Sequence, residues 1–336
     1  MRRISRSITL TDSSSAAAAR RLGAEVAAEL GMNEVKAGEA AIVIIEAARN
    51  AVIYGKGGQL LLSGCASGHD IRLDVLVIDR GPGIADISRA LQDGYSTGGT
   101  PGTGLGAIRR LSSSFDVFSN GKGTVLFAQV VQSAAGHHSK ATLDSAGFVI
   151  PIAGEKVSGD NLAWHGERDR ISFLAADGLG HGFGAAEAAD EAVRIFEEQQ
   201  AHSPAEIVAR LHDGLKKTRG AAAAIAEIHP LSGTLTYAGV GNISGVILSS
   251  TLGRSLISHN GTLGHVAGRI QEFKIEWPRD AVLVMHSDGL QSRWDLSRYP
   301  GLLARRPALI AGVLLRDFRR ERDDASVLVV KPTPMM

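Results

Sequence analysis

A short stretch without hydrophobic periodicity, residues 133–145, divides this chain into two halves. Its sequence, SAAGHHSKATLDS, is small and polar, whereas the segments on both sides carry apolar residues at strand or helix spacing. A chain of 336 residues is also longer than a single hydrophobic core usually supports. We therefore predict two domains, residues 1–132 and 146–332, joined by a linker at 133–145. His137 and His138 are interpreted as solvated linker residues rather than metal ligands.

The composition excludes several classes of partner and site. With 36 basic and 35 acidic residues, the net charge of +1 gives no electrostatic reason to expect nucleic acid or an anionic membrane as a partner. The lone cysteine, Cys65, rules out an intramolecular disulfide and a four-cysteine zinc site, and it is interpreted as an inert thiol. No signal-peptide segment and no apolar run of about 18 residues occurs. We expect a cytoplasmic protein.

The first half has the pattern of helices packed on a sheet. Residues 13–31 have a Ser-rich start and end on Gly31, which predicts a helix. EVKAGEAAIVIIEAARNAVIYG predicts a second helix with one apolar face, and IRLDVLVID predicts a strand that ends at Asp79. FDVFS, NGKG and TVLFAQVVQ predict a hairpin. These elements indicate a two-layer α/β sandwich.

The second half is rich in short strands that surround two consecutive helices. The helices are predicted at residues 183–200 and 203–217, and a further helix is predicted near 300–317, before the last strand ASVLVVK. This order of elements predicts an α+β fold with stacked sheets.

A glycine-rich loop is the first candidate binding element. Residues 96–111, STGGTPGTGLGAIRRL, contain five glycines and then become an apolar-faced helix. Backbone this bare fits a loop whose amides bind phosphate at a helix N-terminus, and by itself it fits a flexible surface loop equally well.

Three side chains elsewhere in the first half favour the phosphate site. Glu46 and Asn50 are spaced i, i+4 and share one helix face. Asp79 ends a strand beside Gly81 and Gly83, where a carboxylate accepts hydrogen bonds from a ligand edge. A carboxylate, a magnesium-binding amide oxygen, an edge acceptor and an anion-binding loop together predict a nucleotide site.

The motifs EAARNAVIYG, DRGPGI and GTGLG resemble, in this order, the N, G1 and G2 boxes of the GHKL ATPase family. Residues 8–131 resemble in particular the RsbT type of stressosome switch kinase. The resemblance implies the Bergerat fold, ATP with Mg²⁺ as cofactor, Asn50 as magnesium ligand, and Glu46 as the base that polarises an attacking serine hydroxyl. It implies a mobile lid at residues 96–101. The implied nucleotide-binding residues are Asn50, Asp79, which takes the adenine amino group, Gly81, Gly83, Gly102, Thr103, Gly104, Leu105 and Gly106.

Aspartates at predicted strand ends mark the second half. They occur in SGD (Asp160), AADGLGHG (Asp177), HSDGL (Asp288) and RDDAS (Asp323, Asp324). Each alone is an ordinary turn signal. If the fold brings them together, their charges require cations between them, and oxygen ligands select Mg²⁺ or Mn²⁺. Two such ions activate water for in-line attack on a phosphoryl group.

The same motifs, with GVGNI, resemble the SpoIIE/RsbX branch of the PPM metal-dependent Ser/Thr protein phosphatases over residues 145–331. The resemblance implies an α-β-β-α sandwich that binds two Mn²⁺ or Mg²⁺ ions, with Asp177 and Asp288 as catalytic residues. Between Asp323 and Asp324, the first is the preferred ligand, although the sequence leaves the choice open. The implied metal ligands are Asp160, Asp177, the Gly178 carbonyl, Asp288 and Asp323.

Three features of the second site stay open at this stage. No arginine corresponds to the phosphate-clamping arginine of many eukaryotic PPM enzymes, so phosphate capture is assigned mainly to the metals. His181 is either a proton donor to the leaving serine oxygen or a helix-start residue without that role. Asn242 in GVGNI is interpreted as a turn residue rather than a ligand.

Together the resemblances imply a kinase fused to a phosphatase that reverses it. The implied partner is a STAS-domain protein, either RsbS/RsbR-like or an anti-anti-sigma factor. The implied output is control of a sigma-factor regulator, a cyclase or a downstream phosphatase. The alternative is a phosphatase whose N-terminal domain is only a nucleotide-dependent module that binds an anti-sigma or STAS protein.

Overall fold

The structure, a computed structural model, describes residues 2–68, 70–92, 104–133, 142–167, 169–250 and 253–333. It divides into two compact units. The first contains Met1–His138 and Ser297–Arg316, and the second contains Ser139–Leu296 and Asp317–Met336. The domain limits drawn from the sequence stay a prediction.

The first unit is built from helices on one antiparallel sheet. The sheet has the strand order β1-β2-β3-β5-β4. The elements are β1 (Arg2–Leu10), α1 (Ser13–Leu30), α2 (Glu34–Ile53), β2 (Gly58–Ser67), β3 (Asp70–Ile78), α3 (Ile87–Ala90), α4 (Gly104–Leu111), β4 (Ser114–Asn120) and β5 (Gly123–Gln132).

Local side-chain caps fix where the two long helices begin. The Asp12 carboxylate accepts from the Ser15 amide at 2.8 Å, and the Ser15 hydroxyl in turn accepts from the Asp12 amide. This reciprocal capping box starts α1, which ends at Gly31 with a left-handed φ of 80°. Asn33 caps α2 by accepting from the Lys36 amide. The predicted helix at residues 13–31 is confirmed.

One face of this sheet packs against α1, α2 and α4. The core between them is aliphatic, and it includes Val26, Ile44, Leu62, Val75 and Ile108. Burial of this face holds α2 against the sheet. This packing positions the polar side chains on the opposite face of the helix.

A segment distant in sequence completes the first unit. It contains most of α7 (Pro307–Phe318), and residues 307–316 are all buried. A Cβ built at Gly312 would lie 2.4 Å from Val125 Cγ1, so the helix backbone packs closely on β5. The Arg305 guanidinium also donates to the Asp116 carboxylate at 3.2 Å. In sequence, this segment of the first unit therefore lies between two segments of the second unit.

The second unit contains two five-stranded sheets and two helices. The sheet orders are β15-β10-β9-β8-β7 and β12-β11-β16-β17-β6. The elements are β6 (Leu143–Ile150), β7 (Asp160–Glu167), β8 (Arg170–Gly178), α5 (Phe183–Glu198), α6 (Pro204–Gly214), β9 (Ala221–His229), β10 (Thr234–Val240), β11 (Ser244–Leu248), β12 (Gly253–Leu256), β13 (Gly261–Thr262), β14 (Val266–Ala267), β15 (Phe273–Glu276), β16 (Val282–His286) and β17 (Ala325–Pro332).

Two hydrophobic cores lie between the layers of this unit. One core lies between the sheets and includes Phe173, Tyr237 and Met285. The other lies between the first sheet and α5 with α6, and it includes Phe196 and Leu211. The predicted α+β class is confirmed, and both predicted helices of this region are present.

Membrane insertion through a helix has no support in the described ranges. Among the helices there, none is both long and apolar enough to cross a bilayer.

Phe196 offers a test of the core beneath α5. Its side chain is fully buried, and its ring centroid lies 4.3 Å from that of His165. Phe196→Ala should destabilise the second unit by about 3–5 kcal/mol because it leaves a cavity. All three tryptophans of the chain lie in this unit, so tryptophan fluorescence during urea unfolding reports its stability. The exposed Glu187 of the same helix provides the control Glu187→Ala, expected within about 0.5 kcal/mol of wild type. An unchanged urea midpoint for Phe196→Ala would contradict this packing.

Candidate functional site

The first candidate site lies where α2 meets the start of α4. A Cβ built at Gly104 would lie 3.0 Å from Glu46 Oε2 and 3.6 Å from each polar atom of the Asn50 amide. Glu46 and Asn50 are one turn apart on α2, as their spacing predicts. The fold therefore brings together two of the motifs that the sequence separates by about fifty residues.

The side-chain amide of Asn50 has the environment of a ligand-binding group. Its Nδ2 atom is buried and has no hydrogen-bond partner among the residues that the structure describes. Buried amide groups are normally paired, so an unpaired one beside a helix N-terminus fits a bound ligand. The neighbouring Glu46 carboxylate lies 3.6 Å from the Arg49 guanidinium. Glu46 and Asn50 therefore fit a magnesium nucleotide.

Asp79 is held in one orientation just after the end of β3. Its Oδ1 atom accepts from the Gly81 amide at 2.9 Å and from the Thr124 amide at 3.1 Å. Burial raises the pKa of Asp79, and these two amide hydrogen bonds lower it. The carboxylate is thus a fixed acceptor just after the end of the central strand of the sheet. Such an acceptor suits recognition of the hydrogen-bond donors of a base.

Gly83 makes the turn after Asp79 possible. Its φ is +78°, and a Cβ there would lie 2.2 Å from the Asn120 carbonyl oxygen. No other residue fits both conditions without strain. The following Ile84 amide donates to the Ser119 hydroxyl at 2.7 Å, which ties this turn to the end of β4.

The glycine-rich loop is described only in part. Gly104, Leu105 and Gly106 form the first turn of α4. Gly102, Thr103 and the predicted lid at 96–101 lie outside the described residues.

The second candidate site begins with the pairing of β7 and β8. This antiparallel pair places Asp160 opposite Asp177. Asp160 is buried, and its Oδ2 atom accepts from the Ser287 hydroxyl at 2.5 Å. Burial, followed by the charge of Asp177, raises the pKa of Asp160 well above its ordinary value. Asp160 is therefore not one of the residues that line the neighbouring cavity.

A cavity of about 660 Å³ gathers three of the predicted aspartates from three separate chain segments. Burial raises the pKa of Asp177 to about 7, and the charges of Asp288 and Asp323 act in the same direction. Burial and the Asp288 charge also raise the pKa of Asp323. Converging negative charges of this kind favour a cation. The cavity wall is formed by Asp177, Leu179, Gly180, His181, Ala222, Gly241, Asn242, Asn260, Gly261, Thr262, Asp288, Arg322 and Asp323.

Asn242 bridges two of these aspartates. Its Nδ2 atom donates to Asp177 Oδ2 at 3.1 Å and to Asp288 Oδ2 at 2.8 Å. Across the described ranges, no three acidic, histidine or cysteine side chains already surround a single point. The amide instead joins the carboxylates, whose all-oxygen donor set fits Mg²⁺ or Mn²⁺. Sequence reasoning missed this contact, although a polar residue at the end of β10 was the available signal.

The structure distinguishes the two adjacent aspartates of the RDDAS motif. Asp324 is buried, with Oδ1 accepting from the Ile152 amide at 2.7 Å and Oδ2 from the Gly159 amide at 2.8 Å. Both oxygens therefore hold backbone segments in place. Asp323 lines the cavity instead, and its assignment as the metal ligand of the pair stays a prediction.

Gly178 is the last residue of β8, and His181 lies on the loop that follows it. A Cβ at Gly178 would lie 2.0 Å from the Ala185 carbonyl oxygen, so the start of α5 approaches this backbone too closely for any side chain. His181 is exposed, lines the cavity, and has its Nδ1 atom 3.1 Å from Glu155 Oε1. Its position is compatible with proton donation to a bound ester.

Arg322 and two residues near β13 also line the cavity without having been predicted. Arg322 could have been noticed because it directly precedes Asp323 in sequence. Thr262 lies in β13, and Asn260 directly precedes this strand. A two-residue strand is too short to give a periodic signal.

Comparison with known families agrees with this geometry. Residues 9–130 match the histidine kinase-like ATPase domain family, and residues 167–333 match the Stage II sporulation protein E (SpoIIE) family. The serine/threonine-protein kinase RsbT of Bacillus subtilis (strain 168) is 39% identical over 112 residues, which are 33% of this chain and 84% of RsbT. The phosphoserine phosphatase RsbX of the same organism is 28% identical over 140 residues, which are 41% of this chain and 69% of RsbX.

Two solved structures resemble more than half of the chain. One was reported as "The bacterial stressosome: a modular system that has been adapted to control secondary messenger signaling"; it has 27% identity and a TM-score of 0.53, and the match covers 56% of this chain and 99% of that one. The other, RsbX in complex with magnesium, has 19% identity and a TM-score of 0.51, covers 58% of this chain and 98% of that one, and shows a shared fold. The chain thus belongs to the histidine kinase-like ATPase family of RsbT through its first half, and that half is fused to a SpoIIE-type PPM phosphatase domain related to RsbX.

Proposed function

We propose that this chain is a bifunctional regulator of a partner-switching pathway. Its first half transfers phosphate from ATP to a serine or threonine of a STAS-domain protein. Its second half hydrolyses phosphoserine or phosphothreonine on such a protein. The observation that carries the proposal is the convergence of Asp177, Asp288 and Asp323 on one cavity in a chain that also carries the Glu46–Asn50 nucleotide site.

The hydrolytic half acts on a phosphate monoester. Asp177, Asp288, Asp323, the Gly178 carbonyl and Asp160 would hold two Mg²⁺ or Mn²⁺ ions, which when bound would supply an activated water and neutralise phosphoryl charge. The water oxygen bonds to phosphorus as the bond from phosphorus to the serine oxygen breaks. The serine oxygen then takes up a proton, for which the exposed His181 in the cavity wall is a donor.

Asn242 orders the carboxylates for this chemistry. By donating to Asp177 and Asp288 together, its amide holds the two side chains at a fixed separation. Asp160 is held by Ser287 and Asp324 by backbone amides, so neither must reorganise during the reaction.

The phosphorylating half uses Glu46 as a general base. The serine hydroxyl gives its proton to the Glu46 carboxylate, its oxygen bonds to the γ-phosphorus, and ADP leaves. Asn50 would hold Mg²⁺, and Asp79 would accept from the adenine amino group. The amides at the start of α4, from Gly104 to Gly106, would bind the triphosphate.

The proposed partner follows from the relatives. RsbT and RsbX are named as a kinase and a phosphoserine phosphatase of one organism, and one similar solved structure is a stressosome component. Because that solved structure was reported in work on the bacterial stressosome, a STAS-domain protein of the RsbS/RsbR or anti-anti-sigma type is the proposed partner of both halves. The output would be a cytoplasmic sigma-factor regulator, a cyclase or a downstream phosphatase.

One contact favours a second candidate for the first half. The Arg49 guanidinium lies 3.6 Å from Glu46, and this ion pair occupies the carboxylate that the kinase proposal uses as its base. In this case the first half is a nucleotide-dependent module that binds the STAS protein, and the phosphatase is the sole catalyst.

Asp177→Asn should abolish phosphate release from a phosphorylated STAS protein. The change removes a charged ligand from the cavity, so the rate measured with Mn²⁺ should fall at least about a hundredfold. Asp288→Asn should behave alike, and excess chelator should stop the wild-type protein. Asp213→Asn, a change of the same kind on the exposed surface of α6, should retain full activity. Activity of wild-type protein in excess chelator would exclude the two-metal proposal.

Glu46→Gln tests the kinase half in an Asp177→Asn background, where added phosphate is not removed. Labelled phosphate should appear on the STAS partner with Asp177→Asn alone, and its rate of appearance should fall about a hundredfold or more with Glu46→Gln added. Glu34→Gln, on an exposed position of the same helix, is the matched control. If the partner never becomes labelled in the Asp177→Asn background, the kinase proposal is wrong and the binding module stands.

Asp79→Asn should weaken ATP binding about tenfold to a hundredfold, because an amide presents a donor where the adenine amino group needs a charged acceptor. Calorimetry with ATP and Mg²⁺ measures the affinity. Release of phosphate by the second half should be unchanged in the same preparation, which separates lost binding from misfolding. Equal ATP affinity in Asp79→Asn and wild type would remove Asp79 from the nucleotide site.

A further inference from the structure

Arg322 is the single lysine or arginine in the described wall of the acidic cavity. It lies on the loop between α7 and β17, directly before Asp323, and its side chain is exposed. Among the described residues, no carboxylate forms an ion pair with its guanidinium. Its guanidinium is therefore available to an anion bound in the cavity.

The charge of the cavity explains why such a cation is useful. The three aspartates of the wall and Asp160, all proposed metal ligands, carry four negative charges, which two divalent cations would balance. Arg322 adds one positive charge, which favours binding of the doubly negative phosphate monoester. The guanidinium also offers paired N–H donors in the geometry that two phosphate oxygens accept.

Neighbouring arginines do not share this position. The Arg320 backbone amide donates to the Gly289 carbonyl at 2.7 Å, and its charge lowers the pKa of Asp323, but its side chain is not part of the cavity wall. Arg219 lies against the first turn of α5, where a Cβ built at Gly184 would lie 2.5 Å from the Arg219 Nε atom. Arg219 is likewise outside the wall.

We propose that Arg322 binds the phosphoryl group of the substrate and retains the phosphate product after hydrolysis. The role adds a protein contribution to phosphate capture, which the sequence analysis assigned mainly to the metals. It rests on the proposed phosphatase function. Because Arg322 belongs to the same loop as Asp323, one short segment contributes both a metal-binding carboxylate and a phosphate-binding cation.

The test compares Arg322→Ala, Arg322→Lys and the control Arg320→Ala in the full chain with Mn²⁺. Calorimetry measures inorganic phosphate binding, and hydrolysis of para-nitrophenyl phosphate gives KM, kcat and inhibition by phosphate. Arg322→Ala should weaken phosphate binding and raise KM about tenfold to a hundredfold, because a hydrogen bond to a charged group is lost. Arg322→Lys should fall between Arg322→Ala and wild type, and Arg320→Ala should stay within about twofold of wild type.

The readouts separate failure of this inference from failure of the proposed function. The number of Mn²⁺ ions bound should be the same in all variants, which excludes loss of the metal site as the cause. Phosphate affinity within twofold of wild type in Arg322→Ala, or no phosphate binding by the wild type, overturns the role of Arg322. Arg322-dependent phosphate binding without hydrolysis of any phosphate ester would support this role while contradicting the phosphatase proposal.

Discussion

Repulsion among clustered carboxylates is the constraint on which the second half of this chain depends. The pairing of β7 with β8 sets Asp160 opposite Asp177, and the ends of β16 and β17 bring Asp288 and Asp323 to the same region. Burial and neighbouring charge raise the pKa of Asp177 to about 7, so the arrangement is electrostatically costly by itself. The surrounding donors reduce this cost: Ser287 holds Asp160, and the Asn242 amide joins Asp177 to Asp288. A fold that maintains such a cluster presents a set of carboxylates that suits divalent cations.

The proposed function sets the first half the opposite problem, since it requires that half to bind an anion. Its means are backbone amides at the start of α4, a buried amide at Asn50, and a fixed acceptor at Asp79. The hydrophobic face of α2 holds these groups in place without taking part in the chemistry. Under the proposed function, covalent fusion would provide the two activities in equal numbers. In a cell, the phosphorylated fraction of the partner would then follow ATP and metal supply rather than the ratio of two separately expressed enzymes.

Much of this organisation was predictable from local sequence signals. Helix α1 begins at a capping aspartate and ends at a glycine, and the spacing of Glu46 and Asn50 alone places them on one face. The aspartates could be named because each lies beside glycine or another aspartate at a strand end. Asn242 and Arg322 had only weak local signals, a polar residue after a strand and an arginine before an aspartate, because their importance arises from long-range convergence and not from spacing. The grouping of α7 with the first unit had no local signal either, because a helix apolar on all sides does not indicate which sheet it packs against.

The most direct measurement follows the phosphate on a STAS partner over time in the presence of wild-type protein, a limited amount of γ-labelled ATP and Mn²⁺. A chain that both adds and removes the phosphate should label the partner at first, and should then release the label as inorganic phosphate once the ATP is consumed. Label that persists on the partner after ATP is exhausted would contradict the phosphatase activity. Free phosphate that appears without any labelled partner at early times would contradict the kinase activity.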